Sequence, residues 1–93
     1  MIKAHMDLTK GDKLLATLTW HKIEDGKMLD IGYDFSAEID EEMKKRIIDV
    51  CEMPLNITQN GVSTGRAYPG SSKHFEALPK HLERLGVRVR CYY

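Results

Sequence analysis

Residues 1–35 alternate apolar and polar side chains with a period of two, and this alternation constrains the fold more than any other feature of the chain. Ile2, Ala4, Met6 and Leu8 share one face of an extended segment, with Lys3, His5 and Asp7 on the other. A polar turn, Thr9-Lys10-Gly11-Asp12-Lys13, leads into a second run from Leu14 to Ile23 that places Leu14, Ala16, Leu18 and Trp20 on one side. Asp25-Gly26 is a type I′ hairpin signal, because both residues tolerate positive φ, and the third run, Met28 to Phe35, turns Leu29, Ile31, Tyr33 and Phe35 inward. The chain therefore opens with a meander of three antiparallel strands.

Register follows from the requirement that apolar faces apolar, since a slip of one residue sends every side chain to the wrong face. A two-residue Asp25-Gly26 loop sets Glu24 against Lys27, Trp20 against Ile31, Leu18 against Tyr33 and Ala16 against Phe35. For the first turn, a five-residue loop sets Leu8 against Leu14, Met6 against Ala16, Ala4 against Leu18 and Ile2 against Trp20. A four-residue loop would oppose Asp7 to Leu14, so the pattern selects five.

The period then changes to that of a helix. Ile39, Met43, Ile47 and Val50 form one stripe over about 37–53, with Ser36 or Asp40 as the cap, acidic residues in the first turn and Pro54 beyond the end. Asn60-Gly61 marks a second hairpin between 55–59 and 62–68, for which an irregular loop is the alternative. A second helix carries Phe75, Leu78, Leu82 and Leu85, is kinked or restarted at Pro79, and ends at Gly86. Alternation returns in 87–93 as a last strand. The expected fold is a single α+β domain over 1–93, a two-layer sandwich in βββα-hairpin-αβ order, with a mostly antiparallel sheet and two helices on one face. Arg88 and Arg90 are expected beside the third strand, which presents Asp30 and Asp34, giving the sheet order 1-2-3-4.

Composition bears mainly on function. With 93 residues and 42% hydrophobic side chains the chain has enough for one core. Fourteen basic residues balance fourteen acidic ones, which removes the broad attraction that nucleic-acid binding depends on. Cys51 and Cys91 form no CxxC or Cys/His spacing and read as small apolar fillers in a reduced, cytoplasmic setting. Residues 1–5 carry no apolar h-region and no apolar run is long enough to span a membrane, so export is not expected and the Asn56-Ile57-Thr58 sequon reads as chance. No cofactor or metal-ligand pattern is present; His74 and His81 lie two helical turns apart, about 10.5 Å, too far to share an ion.

Three surfaces remain. The expected register lines up His5, Thr17 and Asp34 on the outward sheet face, with His21 opposite Asp30, yet ordinary cross-strand pairing accounts for such a row and no catalytic residue is assigned. Arg66, Ser71, Ser72, Lys73 and His74 surround a helix start, where free N–H groups attract anions. Gly65 and Gly70 have P-loop spacing, but Ser71 stands where the phosphate-gripping lysine belongs. Leu15, Thr17, Thr19, His21, Ile23, Met28 and Tyr92 make an outward face apolar enough for self-pairing. The leading expectation is a small interaction or adaptor module, a homodimer through that face with a possible protein partner. The alternative is a small enzyme or sensor binding a phosphorylated or carboxylated metabolite at the Arg66 to His74 loop.

Overall fold

The computed structural model describes the backbone of residues 4–24 and 27–92, with side chains for all of these except 21–30 and 72. The elements run β1 (Ala4–Lys10), β2 (Lys13–Glu24), β3 (Lys27–Phe35), α1 (Glu41–Glu52), β4 (Leu55–Gln59), β5 (Val62–Ala67), α2 (Ser72–Glu83) and β6 (Arg88–Tyr92). Four strands form an antiparallel sheet in the order β3-β2-β1-β6, and β4 and β5 form a separate two-stranded ribbon. Inward side chains of β1 and β2 (Ala4, Met6, Leu8, Ala16, Leu18 and Trp20) share one buried cluster with Ile47 and Cys51 of α1 and Phe75, Leu78 and Leu82 of α2. Trp20 meets Phe75 edge to face at 4.8 Å between centroids, the arrangement that ring quadrupoles favour. This is the two-layer α+β architecture the alternation implies. No helix among the described residues is long and apolar enough to cross a membrane.

The β2–β3 register agrees with the expectation pair by pair, from Glu24 opposite Lys27 to Ala16 opposite Phe35; the Asp25-Gly26 turn itself lies outside the described residues. The first hairpin differs. Lys10 pairs with Lys13 across a two-residue Gly11-Asp12 loop, Thr9 pairs with Leu14, and Leu8 pairs with Ala16, so Leu15 is an extra residue in β2. Beyond this bulge Met6 faces Leu18 and Ala4 faces Trp20, two residues from the expected partners; the expected Ile2 pairing lies outside the described residues. A shift of two leaves every side chain on its proper face, so alternation cannot detect it. The bulge also exchanges the roles of two leucines. Leu14 is 51% exposed, whereas Leu15, expected on the outward face, packs against the core. The Leu15 carbonyl accepts a hydrogen bond from the Ser36 N–H at 2.9 Å, fixing the exit from β3.

The last strand corrects a second expectation: β6 lies beside β1, not β3. Asp7 of β1 stands opposite Arg90, and the His5 ring stacks on Tyr92 at 4.5 Å, so β1 offers β6 a charge partner and an aromatic partner of its own. Met6 opposite Cys91 and Leu8 opposite Val89 extend the apolar layer.

Both candidate caps before α1 are used. Ser36 Oγ accepts from Glu38 N in a separate turn, and Asp40 caps the helix by accepting from Glu42 N, so α1 starts at Glu41. Helix α2 continues through Pro79 without a break. Asn60 and Gly61, at φ 53° and 78°, form the ribbon's tight turn.

Because the bulge decides which leucine is inside, two lysine substitutions test it. Leu15→Lys should destabilise the fold by about 1–3 kcal/mol in urea unfolding, while Leu14→Lys should stay within about 0.5 kcal/mol of the parent. The reverse ranking would mean that strict alternation holds through residue 15.

Candidate functional site

Helix α2 has one face in the core and one face on a cleft. His74, Phe75, Leu78 and Leu82 are buried, while Lys73, Glu76, Lys80 and Arg84 are exposed. Lys73, Ala77, Lys80 and Arg84 follow one another at four, three and four residues, the spacing that keeps side chains on one side of a helix. Together with Glu76 and His81 they form one wall of a cleft of about 430 Å³. Residues 56–59 of β4, with Thr64 of β5, form the other. Three permanent cations face one carboxylate, and among the described residues no ion pair engages Lys73, Lys80 or Arg84. The cleft therefore presents unneutralised positive charge beside neutral amide and hydroxyl groups.

Two histidines of α2 are held by backbone carbonyls. His81 donates from Nδ1 to the Ala77 carbonyl at 3.0 Å, so in the neutral ring Nε2 is the remaining acceptor. His74 is only 3% exposed and donates from Nε2 to the Met53 carbonyl at 2.8 Å, tying α2 to the residues that lead into β4. Burial pushes the His74 pKa below the ordinary 6.5, the Met53 hydrogen bond opposes that shift, and the charge on His81 adds to it.

Of the residues expected to gather around an anion, Lys73 lines the cleft, and the described side chains of Arg66, Ser71 and His74 do not. Ser71 caps α2: its Oγ accepts from His74 N at 3.1 Å and donates to the Tyr68 carbonyl at 2.7 Å. The His74 ring is turned into the protein instead of toward solvent, away from its expected place at an anion site. Arg66 is exposed opposite Asn56 and does not line the cleft, and the Ser72 side chain lies outside the described residues. Lys73 alone belongs to both groups. Lys80 and Arg84 carry most of the site's charge and were missed because a polar stripe on a helix ordinarily reads as a solvated face; their spacing with Lys73 was the available signal.

The outward sheet face also differs from expectation. With β1 displaced along β2, Thr17 lies between Asp7 and Asp34, and His5 stands opposite Thr19, so the His5-Thr17-Asp34 row does not form. Thr17 donates to Asp7 Oδ1 at 3.0 Å. Tyr92 covers His5, while the side chains of His21, Ile23, Met28 and Asp30 lie outside the described residues. Cys51 is buried below Tyr33, whose hydroxyl donates to Glu52, and burial together with the Glu52 charge pushes the thiol up to about 12. No three His, Cys, Asp or Glu side chains converge as metal ligands among the described residues.

Compared with protein-family models, with curated proteins and with solved structures, the chain matches none of them. The candidate site is thus defined by its own geometry, as a basic cleft on a two-layer α+β domain.

Two titrations follow. The unfolded chain binds a proton at His74 near pH 6.5 and the folded chain only at lower pH, so this residue's contribution to stability is full above about pH 6.5 and declines as pH falls through and below it. The melting temperature should drop on acidification from pH 7, and His74→Gln, which keeps an N–H donor for Met53, should flatten that drop. Cys51 should resist a thiol reagent at pH 8 in the folded protein and react once it is unfolded; rapid native labelling of Cys51 would contradict its burial.

Proposed function

We propose that the protein is a small binding module, an adaptor and not a catalyst, whose cleft between α2 and the β4–β5 ribbon receives the acidic group of a partner. The observation that carries this reading is the set Lys73, Lys80 and Arg84 along one wall, free of ion pairs among the described residues and opposed by Glu76 alone. A cation without a carboxylate partner keeps its charge available to a ligand. The volume is also in the usual range for ligand clefts. Support for binding over catalysis comes from three of the potential nucleophiles and bases, with the His81 Nε2 alone left open in the cleft wall among the described residues. Ser71 is committed to its cap, His74 to Met53, and Cys51 is held protonated. A reducing, cytoplasmic setting fits the two free thiols. A phosphorylated or carboxylated metabolite, the alternative occupant, would use the same cations, of which Lys80 and Arg84 lie about two and three turns along the helix from the loop where the sequence suggested it.

Self-association is the second reading, favoured by the placement of both helices on one side of the four-stranded sheet. Thr17, Thr19 and Tyr92 lie on the other side, where a second copy could pack. Light scattering at micromolar concentration decides it. A mass twice 10.7 kDa, halved by Thr19→Glu, supports a dimer through this face, and 10.7 kDa at every concentration removes it.

For the cleft, calorimetry with poly-glutamate, inorganic phosphate and a dicarboxylate should show binding to at least one probe that weakens with salt. Lys80→Gln and Arg84→Gln should each weaken it about tenfold, roughly 1.4 kcal/mol, with only a small fall in melting temperature from the charge lost at the end of α2. Binding that ignores both substitutions, or no binding by any probe, would overturn the reading.

A further inference from the structure

We infer that the natural occupant of this cleft is an extended acidic peptide that adds as a strand to the free edge of β4. The inference rests on the cleft reading above and names its ligand. Four consecutive residues of β4, 56–59, line the cleft, against Thr64 alone from β5. Successive strand side chains point to opposite faces, so a hollow touching four in a row lies along the strand's edge. That edge has unused hydrogen-bonding capacity. The ribbon has two strands, and apart from its ladder to β5 and the Thr64 hydroxyl on the Ile57 carbonyl, β4 makes no backbone hydrogen bond among the described residues.

The edge is also unguarded. Leu55-Asn56-Ile57-Thr58-Gln59 has neither charge nor proline, the devices that usually protect an edge strand. The other outer strands do carry charge: Arg66 in β5, Arg88 and Arg90 in β6, and Lys27, Asp30 and Asp34 in β3. Main-chain pairing at an exposed edge supplies affinity in strand addition, and side chains at alternate positions supply selectivity.

The opposite wall fits such a strand in length and charge. From Lys73 to Arg84 the helix rises about 16 Å, and five strand residues span about 16 Å. Lys80 and Arg84 are separated by about 6 Å of helix rise, close to the roughly 6.7 Å between residues on one face of a strand, so acids at alternate peptide positions meet both. Glu76 opposes an unbroken acidic run, which selects alternation over polyanion character.

The test uses the unmodified protein and a fluorescent octapeptide of alternating Glu and Val, alongside two versions N-methylated at every odd or every even position. Micromolar binding is expected for the parent peptide. One methylated version should lose at least tenfold, because its missing N–H groups face β4, while the other keeps most of its affinity. A Lys-Val octapeptide should not bind, and Lys80→Glu with Arg84→Glu should abolish binding of the acidic one. Equal affinities for the two methylated versions would overturn strand addition while leaving the basic cleft intact as an anion site. Failure of the peptide where phosphate or dicarboxylate binds would overturn the peptide assignment, and failure of every acidic probe would remove the cleft reading itself. A doubled mass that the peptide reverses and Thr19→Glu does not would show that a second copy occupies the β4 edge, which also overturns the proposal.

Discussion

The central strand β1 has to satisfy a backbone edge on each side while burying Ala4, Met6 and Leu8 completely, and the remaining elements are arranged around that requirement. On one side β2 meets it through a bulged hairpin. On the other, β6 returns from the far end of the chain and brings Cys91 and Val89 into the same layer. Both helices then cover the inward face, with Ile47 and Cys51 from α1 and Phe75, Leu78 and Leu82 from α2. Hydrophobic burial at roughly 25 cal/mol per Å² drives this arrangement, and the hydrogen-bond ladders decide which of several equally apolar arrangements is adopted.

Helix α2 belongs to both the core and the site, and this dual role fixes the cleft. Its inner residues pack under Trp20, its N-terminus is capped by Ser71, and the His74 ring grips the Met53 carbonyl just before β4. The two walls are thereby held through buried contacts, and no ion pair among the described residues commits the cations on the outer face. A site with rigid walls and uncommitted charge loses little freedom when a ligand enters.

Much of the fold was legible because period and turn chemistry agreed. Asp25-Gly26 and the alternation around it fixed the β2–β3 register completely, and the Asn60-Gly61 signal marked the ribbon. The first hairpin was illegible for a physical reason. Its true register differs by two residues, alternation is blind to even shifts, and a bulge at Leu15 absorbs the difference. The place of β6 was not legible from Asp30 and Asp34, because Asp7 of β1 offers Arg90 a carboxylate as well. The cleft was harder still. Lys73, Lys80 and Arg84 look like any solvated helix face until β4 is known to lie opposite them. His74 likewise could not be separated from an exposed histidine without the Met53 carbonyl in view.

The pairing of β1 with β6 has a consequence for how the chain is made. As the polypeptide leaves the ribosome, β1, β2 and β3 can form their meander early, since their contacts are close in sequence. The other edge of β1 has to wait for the strand farthest from it in the chain. During that interval the partial sheet presents Met6 and Leu8 beside an open backbone edge, which invites pairing with a neighbouring nascent chain. The domain's exposure to aggregation is therefore set less by its finished surface than by the time between synthesis of its first strand and its last.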